Sequence, residues 1–144
     1  MSVRKLTIEE VEFIAHRLAV ELMNNSEEPI PPFSTANVAK LESSIQAPFQ
    51  TFGSEDLYEK FIDKTTILFY LITKNHCFAN GNKRMAVTIT LVFCYINNWW
   101  LDIDSQSLYE LACDVANSKP IDMQATLSYI HKSIYPYLTK VKSN

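Results

Sequence analysis

The sequence predicts an all-α fold, a single helical domain over residues 1–144 interrupted by one short β-like flap. Three observations carry that prediction. Glycine occurs only at Gly53 and Gly81, where average usage would give about ten. Apolar residues recur at helical spacing along most of the chain, and several of these runs begin at residues suited to cap a helix. The composition, 47% apolar and 20% charged, is that of a folded globular chain long enough to bury a core without disulfides or metals.

From Thr7 the pattern Thr-Ile-Glu-Glu is a capping box, with Thr7 as N-cap and Glu10 three residues on. Val11, Ile14, Ala15, Leu18 and Leu22 follow at helical spacing and predict the first helix. Ser26 to Pro32, with three prolines, ends it in a rigid connector. A short helix follows from about Thr35 to Ile45. Gln46 to Phe52 then loses helical periodicity, and the segment closing at Gly53 reads as an extended or hairpin-like excursion, the flap of residues 46–53. Ser54, Glu55 and Asp56 supply an N-cap and first-turn acids for a helix through Thr73, with Leu57, Phe61, Ile67, Leu68 and Leu71 among its apolar positions. After a loop at Gly81, an apolar helix runs to about Asn98. Ser105 opens another to about Ser118, and Pro120 with Asp122 introduces a last one ending near Leu138.

The formal charge of −3 gives no general attraction for nucleic acid or an acidic membrane. Met85 to Ile96 is too short to span a bilayer and reads as a buried core helix. The start of the chain, with no long apolar region behind its two charges, does not read as a secretory signal. Three cysteines, Cys77, Cys94 and Cys113, form no Cys-x-x-Cys pair and no zinc-like spacing with His16, His76 and His131. A reducing cytoplasm is the expected compartment.

Chemistry concentrates in Asn75-His76-Cys77-Phe78-Ala79-Asn80-Gly81-Asn82-Lys83-Arg84, between the two most apolar helices. A helix start attracts anions through its free amides and positive dipole end. Gly81 permits a positive φ and close backbone approach. Lys83 and Arg84 add charge suited to polyphosphate, one as a point charge and one as a planar fork. The same residues also suit a plain polar loop, with Asn80-Gly81 as a turn, Asn82 as N-cap and solvated cations.

The motif decides between these, because His-Cys-Phe-Ala-Asn-Gly-Asn-Lys-Arg resembles the Fic/Doc signature H-x-F-x-[D/E]-G-N-[G/K]-R. Six of seven type-constraining positions match, and the miss is Asn80. Leu41-Glu42-Ser43, then Ala47 to Gly53 and Leu57-Tyr58, resemble the corresponding run of death-on-curing (Doc) toxins, so that the likeness covers about residues 35–98. It implies a single helical domain with a flap, here Gln50, Thr51 and Phe52, that aligns a target segment by backbone pairing. His76 becomes the general base for a target hydroxyl. Phe78 anchors the loop, Gly81 and Asn82 present donors to phosphate, and Lys83 and Arg84 stabilise the charge that develops there. ATP or another nucleoside triphosphate is the implied co-substrate, with Mg2+.

Position 80, where the family usually places a magnesium-holding carboxylate, carries a neutral amide, so any metal contact of Asn80 is expected to be weak or through water. AMP-transferring members usually read G-N-G-R-x-x-R; Lys83 and Val87 depart from that in the Doc direction. The resemblance therefore implies transfer of a terminal phosphate to a protein in translation, with elongation factor Tu as target by analogy, ahead of AMP transfer. A Fic-fold binding module weakened in catalysis by Asn80 is the third reading. The nearest match to a self-inhibitory motif, Thr51 to Asp56, fails at its last position, so restraint by an antitoxin in trans is expected. Cys77 beside His76 invites a thiol-nucleophile reading, which adjacent loop positions disfavour. His16 and His131 read as surface or half-buried helix residues, and Trp99, Trp100, Tyr129, Tyr135 and Tyr137 as core closure or partner surface.

Overall fold

The computed structural model describes residues 2–23 and 29–141. Two long helices form its centre: α4 (Phe61–Lys74) packs along α5 (Asn82–Ile96), and the other elements are layered around the pair. Both are buried nearly all round, with Phe69, Ile72, Met85 and Ile89 inaccessible. That accounts for their weak amphipathicity in sequence.

The chain enters through α1 (Ile8–Glu10), whose capping box is formed as the sequence predicts: Glu10 N donates to Thr7 Oγ1 and Thr7 N to Glu10 Oε1. Arg4 closes on the Glu10 carboxylate and holds it below the usual carboxylate range. The helix then widens into a π-helical stretch (Val11–His16) before α2 (Arg17–Met23). This corrects the predicted core face. A π turn takes more residues than an α turn, so Val11, Ala15 and Ala19, spaced by four, are fully buried while Ile14 and Leu22 are exposed. The connector prediction falls partly on residues 24–28, outside the described residues.

A 3-10 turn (Phe33–Thr35) and the Asn37 N-cap lead into α3 (Val38–Gln46). The predicted flap of residues 46–53 is only partly extended: Gln46 still belongs to α3 and Ala47–Phe49 forms a 3-10 turn, so the hairpin proper is β1 (Thr51–Phe52) paired antiparallel with β2 (Glu55–Asp56) in the register Thr51 to Asp56 and Phe52 to Glu55. Gly53 and Ser54 both have positive φ, 58° and 68°, as a two-residue type I′ connection requires. Here the sequence reading was wrong about Ser54 to Asp56. They continue the hairpin, and α4 starts five residues later, with Asp63 bonded back to Lys60 N. Leu57, expected in the core, is exposed.

α6 (Ser105–Ala116) begins at Asp104, whose carboxylate caps Ser107 N. α7 (Met123–Ile134) packs on α4 and ends four residues earlier than predicted. Pro136 interrupts the helix, and β4 (Leu138–Lys140) pairs antiparallel with β3 (Trp99–Leu101). The sequence reading had no strand there, since three-residue strands leave no periodicity to read. Trp99 closes the core by stacking on Phe61 at 5.3 Å, and Trp100 stays exposed. Among the described residues no helix is long and apolar enough to cross a membrane.

Candidate active site

The predicted chemistry-bearing residues are brought together on one loop joining α4 to α5. Its inner side is anchored residue by residue. Asn75 Nδ2 donates to Ser44 Oγ of α3 at 2.9 Å, Ser44 lies 3.7 Å from Cys77 Sγ, and Asn37 N donates to Cys77 O at 2.7 Å. Phe78 is buried against Phe33. Asn82 turns back on the loop: its Oδ1 accepts from Phe78 N at 3.0 Å and its Nδ2 donates to Phe78 O at 2.8 Å. Asn82 therefore lies inside the first turn of α5, and Gly81 takes the N-cap position that the plain-loop reading gave to Asn82.

Gly81 has φ 74°, and a Cβ there would sit 3.1 Å from Ile30 Cγ1, so both backbone sign and space require glycine. Among the described residues no side chain caps the start of α5, which directs the positive end of a fifteen-residue helix at the loop. His76, Ala79 and Asn80 face outward. The His76 backbone is left-handed, φ 51°, a conformation histidine tolerates better than most side chains. Asn80 Oδ1 accepts from Gly81 N at 2.9 Å, which leaves a neutral oxygen with one remaining acceptor direction at an exposed position.

Lys83 and Arg84 lie at the base of the loop. Lys83 Nζ sits 5.9 Å and the Arg84 guanidinium 4.9 Å from the Tyr109 ring of α6. Arg84 is 6% exposed, so it is a packed cation rather than the reaching fork expected from sequence. The flap residues Gln50, Thr51 and Phe52 are all exposed, with Phe52 the most accessible large apolar residue of β1. Lys64 holds the flap in place from α4. It is buried, and its ammonium donates to Pro48 O, Tyr58 O and Asp56 Oδ2, the last at 3.1 Å.

The thiol-nucleophile reading fails on geometry: Cys77 is 1% exposed, and burial pushes its thiol up rather than toward thiolate. Sequence reasoning included Asn75 in the segment without giving it a role, and it missed Ser44 and Tyr109. Ser44 had a signal, a polar residue in phase with Leu41 and Ile45 on the buried face of α3. Tyr109 had none.

A helical bundle that presents a histidine and a glycine-started helix on one anchored loop, and that carries an exposed hairpin, defines a class that the family comparison identifies. The chain belongs to the Fic/DOC family, whose model matches residues 5–94. It is 31% identical over 78 residues to a protein named Toxin Doc from Mycolicibacterium smegmatis, a match that takes in 53% of this chain and 60% of that relative. No solved structure matches it.

Proposed function

We propose that the chain is a Doc-like toxin that transfers the terminal phosphate of ATP or another nucleoside triphosphate to a hydroxyl side chain of a cytoplasmic target protein. The observation that carries this reading is the loop itself. It sets an outward histidine beside a helix start at Gly81, a residue with no side chain of its own to occupy the cap, with Lys83 in place of glycine and Val87, which is fully buried, in place of a second arginine. His76 takes the proton as the target oxygen forms its bond to the γ-phosphorus. The bond to the bridging oxygen breaks, and the nucleoside diphosphate leaves with the electron pair. The start of α5 and the half-buried Lys83 stabilise the charge on the phosphoryl oxygens, while Arg84, packed on Tyr109, adds positive charge from beneath the loop.

A resident magnesium fits these residues poorly. Asn80 offers an uncharged oxygen already bonded to Gly81 N, and among the described residues no group of three His, Cys, Asp or Glu side chains could hold a metal. Any magnesium would therefore arrive on the nucleotide's phosphates, and the chain's own groups supply the base and the positive end of α5. Elongation factor Tu is the target proposed by analogy, and an antitoxin in trans is the proposed restraint. The exposed Phe13, Ile14 and Leu22 of the first helical segment offer apolar surface of the kind a partner covers.

AMP transfer is the second reading, favoured by the nucleotide-facing loop but not by Lys83. Brief induction followed by mass spectrometry of cell proteins decides between them, since the two adducts differ in mass. Phosphate on a protein hydroxyl, lost by about 100-fold or more with His76→Ala, is the expected result. An AMP adduct, or undiminished modification by a folded His76→Ala chain, overturns the assignment.

A further inference from the structure

We propose that the cavity between α4 and α7 binds a cation carried on an aliphatic stem, an alkylammonium or alkylguanidinium group. It has a volume of about 300 Å³ and lies between Asp63, Thr66 and Ile67 of α4 and Leu127, Ser128 and His131 of α7. Those positions, together with Gln124 of α7, are the facing stripes of two packed helices, at i, i+3, i+4 spacing, which helix packing ordinarily fills with apolar side chains. Here they carry a carboxylate, two hydroxyls, an amide and an imidazole.

Two observations point to a ligand. Thr66 is 5% exposed, and its Oγ1 has no hydrogen-bond partner among the described residues, an uncompensated cost in a folded chain. Asp63 uses Oδ2 on Lys60 N, while among the described residues its Oδ1 has only His131 Nε2 at 3.9 Å, beyond hydrogen-bond reach. The adjacent lysine, Lys64, is committed to Pro48, Asp56 and Tyr58. The N–H donors of a cation match the carboxylate and the two hydroxyls, and an aliphatic stem matches Ile67 and Leu127. An anion would meet Asp63. Leu57, which directly follows the flap, also lines the cavity. A lysine or arginine of a target segment lying on the flap could therefore fill it, as could a free amine. Only the target-segment source rests on the proposed transfer activity.

The test titrates Nα-acetyl-arginine amide and its uncharged isostere Nα-acetyl-citrulline amide into the full chain, following backbone amide shifts at Thr66 and Ser128 by NMR. Saturable shifts with the arginine probe are expected, with the citrulline probe and Asp63→Asn each weaker by about tenfold. Thr66→Val keeps the shape of the side chain and should weaken binding by roughly threefold with an unchanged or raised Tm. Should Asp63→Asn unfold the start of α4, Ser128→Ala carries the same comparison. No saturation, equal binding of the two probes, or indifference to Thr66→Val and the second variant would overturn the site. A peptide bearing arginine near a serine that binds tighter than the amide probe assigns the cation to a protein segment, and equal affinity assigns it to a free ligand. Binding is read without nucleotide, so a chain inactive in transfer still answers the question.

Discussion

Asn80 concentrates what is unusual about this site in one side chain. It keeps the loop's internal bond to Gly81 N, which an aspartate would also accept, so Asn80→Asp changes charge with little change of shape. The added negative charge favours a divalent cation there. We expect the variant to reach half-maximal modification at a magnesium concentration lower by about tenfold, checked by modification rates across a magnesium series. Superimposed curves would show that residue 80 does not face the metal-bound phosphates. Arg84 is a poorer choice for dissection, because its guanidinium is packed on Tyr109 and its removal opens a hole as well as deleting a charge.

At the scale of elements, the flap depends on a single buried ammonium. Lys64 joins the approach to β1, the second strand and the exit of the hairpin through Pro48, Asp56 and Tyr58. Lys64→Met keeps an unbranched stem of similar length but removes the ammonium that lies over the Phe49 ring and leaves those acceptors without their donor. A loss of about 1–3 kcal/mol is expected, with faster hydrogen exchange at Leu57 N, whose bond to Gln50 O closes the hairpin base. Native exchange at that amide in the variant would refute the anchoring role. The hairpin also marks where sequence reading reached its limit. Gln46 to Phe52 announced an excursion by losing periodicity, yet Ser54-Glu55-Asp56 has the chemistry of a helix start and was assigned accordingly. The type I′ turn and Lys64's claim on Asp56 draw those residues into β2 instead. Likewise Val11 to Leu22 signalled a helix plainly, while the π-helical register that turns Ile14 outward has no local sequence mark. The motif loop was the most legible part, because each of its residue types answers a local demand: φ at Gly81, packing at Phe78, charge at Lys83. Its anchors on α3 and α6 come from distant segments and could not be read in advance.

Across the whole molecule the three thiols divide by depth. Cys77 and Cys94 are buried, and burial pushes the Cys94 thiol up to about 12, while Cys113 is half-buried. Native labelling with a thiol reagent near neutral pH is expected to modify Cys113 first and the other two only as the core opens. Rapid reaction of all three in folded protein would contradict the packing. The sign of the linked pH effect follows from the raised value. The neutral thiol of Cys94 supports the fold fully below the ordinary thiol range, and that support is lost as pH rises through about 12. Cys94→Ala should therefore lower stability near neutral pH through its lost volume but remove this share of the alkaline loss.

The turn after α5 has a consequence for how the chain can be rebuilt. Asn97 exchanges two hydrogen bonds with the backbone of Arg4, and Val141 N donates to Asn98 O at 2.8 Å. Adjacent residues of one turn thus hold positions 4 and 141, which brings the two into the same neighbourhood. A short flexible bridge between them, with the chain reopened in the exposed Pro120–Asp122 turn, where Ile121 is 90% exposed, would give a circular permutant with the motif loop untouched. It should fold with Tm within a few degrees of the parent, about 4–8 °C for each kcal/mol lost. Failure to fold would mean that this order of synthesis, rather than the set of contacts, is what the bundle needs.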